Sequence, residues 1–230
     1  MNGIFYGIGV GPGDPDLLTV KAVKVLAQVD VLAIPESTKE GGSVAYDIAK
    51  PHLKSDVSTL SLTFPMIKDE VARQKFRYEN AMLIKEQIEA GKNVAFLTLG
   101  DPLLYSTYIY LLDYLKDSGI EIVTVPGIYS FSAISSVANL PIVKGDESLA
   151  LISSFDKSDW SHLNQFDTIV CMKISSYNEA LYNVLKNDGT YSMLLTTNAG
   201  KTTQYSSTDI EELTHKLHYF TTVILTKINT

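Results

Sequence analysis

Short apolar runs that alternate with longer amphipathic stretches constrain the fold of this chain more than any other feature. Gly3 to Gly9 (GIFYGIG) reads as a buried strand ending in a glycine turn. Leu18, Ala22, Val25, Leu26 and Val29 then recur at helical spacing, with Asp16 placed to cap the first turn. Val31 to Ile34 is the next strand, a helix from Ser43 to Lys50 stops at Pro51, and a weaker strand falls near Val57 to Leu60. A long helix spans Asp69 to Ala90, with Gly91 suited to the position just past its end. Val94 to Leu99 (VAFLTL) is the clearest buried strand, and Tyr108, Leu111, Leu112 and Leu115 follow on one helix face. Ile120 to Val125 is a further strand and Ser130 to Ala138 a short helix. Strand, helix, strand, repeated, requires crossover connections and therefore a mainly parallel sheet.

The second half has a different texture. Leu149 to Ser153, Thr168 to Met172, Tyr191 to Thr196 and Thr222 to Thr226 read as strands, rich in β-branched and aromatic residues. Only two helices intervene, near Asn178 to Lys186 and Asp209 to Leu217, the latter opening on Thr208-Asp-Ile-Glu211 as a capping box. Fewer helices per strand predict a mixed sheet. The expected fold is α/β in two domains. Residues 1–126 form a mainly parallel sheet with helices on both faces, and residues 127–230 a mixed sheet with helices.

Charge and composition narrow the function classes. A net charge of -7 argues against a nucleic-acid backbone as partner, because such binding needs a basic surface. The apolar stretches are too short to span a bilayer, and no basic region leads into an apolar run at the N-terminus, so neither a membrane nor an export signal is expected. One cysteine, Cys171, excludes an internal disulfide and fits a reducing cytoplasm. Arg73 and Arg77 are the only arginines.

Three turns, each after an expected strand, carry the chemistry. The first, Gly7-Ile-Gly-Val-Gly-Pro-Gly-Asp14, invites a dinucleotide reading, but G-x-G-x-x-G fails in both registers, its sixth position being Pro12 or Asp14. Pro12 also lacks an N–H to offer a pyrophosphate. A tight strand-to-helix turn without ligand is the plain alternative. The second is Leu99-Gly-Asp-Pro-Leu-Leu-Tyr-Ser106, where Gly100 lets a ligand approach the backbone and Asp101 offers a carboxylate to ribose hydroxyls or a sulfonium. Its plain reading is an ordinary Gly-Asp-Pro turn. The third, Val125-Pro-Gly-Ile-Tyr-Ser-Phe-Ser132, sets hydroxyls and backbone amides at a helix start.

Taken jointly, these turns resemble the S-adenosylmethionine-dependent tetrapyrrole (corrin/porphyrin) methyltransferases of cobalamin and sirohaem synthesis. The resemblance runs through GIGVGPGDPDLLTVKAVKVL, VAFLTLGDPLLYST, VPGIYSFSA and the Cys171-Met-Lys173 strand end. Within the family, the chain resembles the branch acting at C-20 of precorrin-2 or cobalt-factor II. Phe64-Pro-Met66, the Gly-Asp-Pro-Leu-Leu-Tyr-Ser-Thr-Tyr run to Tyr108, and Ser-Phe-Ser-Ala133 point there. Ala33-Ile-Pro-Glu-Ser37 departs from the charged pair that uroporphyrinogen members usually carry after the second strand.

The resemblance implies two α/β domains with a cleft between them, usually in a homodimer, and S-adenosylmethionine folded in that cleft. Leu99, Gly100, Asp101 and Leu104 would form the loop around the cofactor, with polar contacts from Tyr129 and Ser130. Met172 would pack on it from the second domain, and Asn198 and Ala199 would meet the adenine. Gly11, Pro12, Gly13 and Asp14 would line the tetrapyrrole trough. No metal site is expected of the protein; if the substrate holds cobalt, the macrocycle supplies the main ligands.

The implied reaction is an in-line displacement by an electron-rich meso carbon, which needs no serine or cysteine nucleophile. Catalysis then comes from alignment and exclusion of water, and the sequence does not choose among Asp14, Asp101 and the tyrosines as proton acceptor. Arg73 and Arg77, four apart on one helix face, read either as a clamp for substrate carboxylates or as a solvated face paired to Glu70 or Glu79. Lys21, Lys144 and Lys173 are further cations of interest. His215 and His218 lack a nearby third ligand and read as a surface helix. Other readings are a family member with a different ring carbon, an rRNA or protein substrate, a nicotinamide oxidoreductase, and a non-catalytic tetrapyrrole-binding protein.

Overall fold

In a computed structural model, which describes residues 2–35, 43–65 and 67–228, the chain divides into two units, Met1–Tyr129 and Ser130–Thr230. The first unit holds β1 (Ile4–Gly9), β2 (Val31–Pro35), β3 (Ser58–Leu62), β4 (Val94–Thr98) and β5 (Glu121–Val125). They pair in parallel in the order β3-β2-β4-β1-β5. The near-continuous apolar runs of β1 and β4 suit strands covered on both faces. On one face Phe5, Val94 and Phe96 pack under α3 (Glu70–Glu89) and α4 (Tyr108–Leu115), through Ala81, Ile84, Ile88, Tyr108, Leu111 and Leu115. On the other, Tyr6, Ile8 and Ala95 pack under α1 (Val20–Leu26) and α2 (Val44–Ala49).

The first helix begins later than its apolar spacing implied. Asp14, not Asp16, caps a one-turn 3-10 helix at Pro15–Leu17, accepting the Asp16 N–H at 2.9 Å. The chain then extends through Leu18, and Thr19 caps α1 by accepting the Ala22 N–H at 3.1 Å. The stretch Ala33 to Ser37 runs past Pro35 out of the described residues, as does Met66 of the Phe-Pro-Met run.

The second unit contains α5 (Ser130–Ala138), β6 (Leu149–Ile152), α6 (Trp160–Leu163), β7 (Thr168–Cys171), α7 (Asn178–Leu185), β8 (Tyr191–Thr197), β9 (Tyr205–Ser207) and β10 (Thr221–Lys227). Its sheet, in the order β6-β7-β10-β8-β9, is mixed: β6 and β7 are parallel and every other pair is antiparallel. The helix expected over Asp209 to Leu217 is a 3-10 turn, Ile210–Thr214. Asp209 rather than Thr208 is its cap, accepting the Glu211 N–H at 3.0 Å, so Glu211 stands inside the first turn and no capping box closes. A capping box forms elsewhere, between Asp156 and Asp159 ahead of α6. No helix among the described residues is long and apolar enough to cross a membrane.

Candidate functional site

The sheet order explains why three turns far apart in sequence meet. β1 lies between β4 and β5, all parallel, so the first, second and third turns leave neighbouring strand ends on one edge. That edge, beyond the carboxyl ends of the strands, is where open α/β sheets bind ligands. The first two turns pair directly: Gly100 N donates to Gly11 O at 2.8 Å, Gly11 N to Gly100 O at 3.3 Å, and Val10 N to Thr98 O at 3.0 Å.

The contact is made backbone to backbone. A Cβ on Gly127 would stand 2.0 Å from Gly100 O, and one on Gly9 would stand 2.6 Å from Gly127 N. No other residue fits at these positions without displacing a turn. Gly100 and Gly11 both have φ of +76°, a left-handed conformation that side chains other than glycine resist.

Asp101 fastens the second turn to the third. It is buried, at 7% exposure; one carboxylate oxygen accepts Leu103 N at 2.8 Å and the other accepts Gly127 N at 2.9 Å. Its carboxylate therefore shapes the loop through backbone donors. Beyond it Leu103 is exposed, Leu104 is half-buried, and the Ser106 hydroxyl donates to Pro102 O. Tyr108 begins α4 after the loop and packs its ring against Phe5 and Gly7 of β1. Its hydroxyl lies 2.7 Å from Thr124 Oγ1, and burial pushes its phenol above the ordinary range, so it stays protonated. Thr98, at the end of β4, has a buried hydroxyl with no hydrogen-bond partner among the described residues.

Of the expected trough residues, Gly11 and Pro12 are buried while Gly13 and Asp14 are half-buried. Arg73 and Arg77 lie in the first turns of α3, and both guanidiniums engage Glu70: Arg73 Nη2 meets Oε2, and Arg77 Nη1 meets Oε1 at 2.8 Å. Arg77 also stacks on the Tyr110 ring, 3.7 Å from its centroid. The chain thus supplies its own carboxylate to the pair.

Within the second unit, the remaining expected residues gather at one end of the mixed sheet. Met172 follows β7, its N–H donating to Ile152 O at 2.8 Å and its carbonyl accepting the Tyr177 hydroxyl at 2.7 Å. Asn198 and Ala199 follow β8, where Asn198 adopts φ +55° and its N–H donates to Phe220 O at 3.0 Å, just ahead of β10. Ala199 is buried. Because β10 runs antiparallel between β7 and β8, its first residues share this end with Met172 and Asn198. Ser130, the first residue of α5, reaches the same end, its Oγ 3.4 Å from Thr222 Oγ1. Tyr129, the last residue of the first unit, is exposed.

His215 and His218 are both exposed, and His218 Nδ1 accepts the Phe220 N–H at 3.2 Å. Among the described residues no group of three or more His, Cys, Asp or Glu stands together as metal ligands would. Sequence reasoning missed the joint packing of Gly9, Gly100 and Gly127 and the orphaned Thr98 hydroxyl. A glycine after each of three strands was the available signal, but only the strand order shows that they touch.

Residues 5–214 match the family described as Tetrapyrrole (Corrin/Porphyrin) Methylases. The chain belongs to that family. It is 41% identical over 186 residues to a probable cobalt-precorrin-2 C(20)-methyltransferase of Methanocaldococcus jannaschii, covering 81% of this chain and 78% of that one. It is 38% identical to the cobalt-precorrin-2 C(20)-methyltransferase of Salmonella typhimurium, covering 76% and 74% of the two chains. Its fold matches the solved uroporphyrin-III C-methyl transferase of Thermus thermophilus complexed with S-adenyl homocysteine, at 19% identity and a TM-score of 0.72 over 97% of this chain and 92% of that one.

Proposed function

We propose that this methylase transfers a methyl group from S-adenosylmethionine to C-20 of precorrin-2 or cobalt-factor II in cobalamin biosynthesis. The observation that carries the reading is the 41% and 38% identity, over most of both chains, to two relatives named for that reaction. The strand-end geometry supports it. Gly100 leaves open space where a Cβ would stand, its nearest other atom 4.0 Å away, and two residues earlier the buried Thr98 hydroxyl has no partner among the described residues. Such a cradle suits a ligand that approaches the backbone closely and accepts hydrogen bonds.

When bound, the cofactor supplies an electrophilic methyl on a sulfonium; the protein's own work is placement. Leu99, Gly100, Asp101 and Leu104 form the loop that holds it in the first unit, with Asp101 keeping the loop in register. Tyr129 and Ser130 add polar contacts, Met172 packs on it, and Asn198 and Ala199 meet the adenine. Gly11 to Asp14 line the surface for the macrocycle. Arg73 and Arg77 reach its carboxylates only by exchanging partners with Glu70. Placement of this kind fixes the meso carbon in line with the methyl and keeps water out, which lowers the barrier without a protein nucleophile. The reading includes a homodimer working in the cytoplasm.

Anaerobic incubation with methyl-labelled S-adenosylmethionine and, in separate reactions, precorrin-2 and cobalt-factor II tests it. Label passing to the tetrapyrrole is expected. Label retained wholly on the cofactor, with a folded protein, would remove the reading.

A further inference from the structure

Lys201 carries an ammonium that meets an aromatic ring rather than an oxygen. It follows the Asn198-Ala-Gly200 turn at the end of β8, and that turn is tightly specified. Lys201 N donates to Asn198 O at 3.1 Å, Gln204 N to Lys201 O at 3.0 Å, and Gly200 N to Gln204 Oε1 at 2.8 Å. Gly200 itself is left-handed, at φ +73°.

From this fixed base the side chain lies half-buried with its ammonium 4.3 Å from the centroid of the Phe220 ring. The ring face attracts the cation but accepts none of its three N–H groups in the way an oxygen would. No carboxylate or carbonyl among the described residues meets the ammonium, whereas Lys54, Lys75, Lys85 and Lys116 all hold acidic partners. Burial also draws the ammonium below the ordinary lysine range, the direction expected of a cation that lacks a counter-ion. Lys21, Lys24, Lys50 and Lys68 also lack an acidic partner among the described residues, but they are exposed to water, whereas Lys201 is half-buried.

We propose that Lys201 is a specificity-determining residue that binds a carboxylate of the reaction's ligands. The inference rests on the methyltransferase reading, and either ligand brings the required group: the cofactor's methionine moiety carries a carboxylate, and the tetrapyrrole carries several on its side chains. The Phe220 ring holds the ammonium at the sheet end, so that a carboxylate arriving there meets a charge-assisted hydrogen bond already aimed.

Calorimetry on wild type, Lys201→Met and Lys201→Arg tests it, using S-adenosylhomocysteine, its decarboxylated analogue and cobalt-factor II as separate probes. Losing one charge-assisted hydrogen bond should weaken binding about 10- to 100-fold in Lys201→Met, with most of the affinity kept in Lys201→Arg. Weakening toward S-adenosylhomocysteine but not its decarboxylated analogue assigns the carboxylate to the cofactor. Weakening toward cobalt-factor II alone assigns it to the macrocycle. An unchanged thermal midpoint in Lys201→Met shows that the loss is local, and Lys201→Gln replaces that variant if it folds poorly. Dissociation constants within twofold of wild type for every probe would overturn the inference and leave the methyltransferase reading standing. Wild-type protein that binds none of the probes would remove that reading, and the inference with it.

Discussion

Asp101 engages its two carboxylate oxygens with backbone N–H groups, one from its own loop and one from the turn after β5. Replacement by alanine leaves two donors unpaired in a buried place, at about 1–3 kcal/mol each. Asp101→Ala is therefore expected to lower the thermal midpoint and, on the proposed function, to weaken S-adenosylhomocysteine binding, because the loop proposed to hold the cofactor loses its tether. Asp101→Asn keeps one acceptor but turns an NH2 toward the other amide, so it should fall between wild type and Asp101→Ala. An asparagine variant with wild-type stability and affinity would count against the tether. Gly127→Ala is a second case at this scale. Its methyl would stand 2.0 Å from Gly100 O, so the second and third turns must part, and calorimetry should show cofactor binding largely lost. From the sequence, Asp101 stood out as a candidate, as the carboxylate of a Gly-Asp-Pro turn after a strand. Its role was not legible, since the Gly127 amide it holds lies twenty-six positions away.

Asp30 shows how the strands of the first unit are held at their other end. It precedes β2, takes the Lys54 ammonium at 2.8 Å and accepts the Asn93 N–H at 2.9 Å, joining the approaches to β2, β3 and β4. The Lys54 hydrogen bond, then that of Asn93, holds its carboxyl below the usual range. A carboxyl depressed on folding contributes stability that is present above its unfolded value of about 3.9 and is lost as pH falls through the folded value. Acid unfolding should thus be less steep in Asp30→Asn than in wild type, most visibly below about pH 4. Equal slopes would show that the pair contributes nothing, as exposed ion pairs often do. Element types were largely legible, because β1 and β4 are short continuous apolar runs and α4 buries Tyr108, Leu111 and Leu115 on one face. Element starts were less so. Asp14, Asp16 and Thr19 are all competent caps, and the Pro15 turn decided between them by giving Asp14 a 3-10 helix of its own.

At the scale of the whole molecule, Cys171 reports on integrity. It is fully buried at the end of β7, and burial pushes its thiol up to about 12, so the reactive thiolate is scarce in the folded state. A disulfide reagent should leave the native protein unmodified and label one thiol on unfolding; rapid labelling of native protein would contradict that burial. The two-part α/β plan was readable from the change in strand and helix spacing near the middle of the chain. The order of strands was not, and β9, only three residues long, left no periodic trace. The convergence of three turns depends on that order, which is why each looked ordinary alone. Carbon NMR of the tetrapyrrole formed from methyl-labelled S-adenosylmethionine shows directly which carbon receives the methyl group. A labelled methyl on the C-20 meso carbon is the expected result; label on a β-pyrrole carbon would contradict the C-20 assignment.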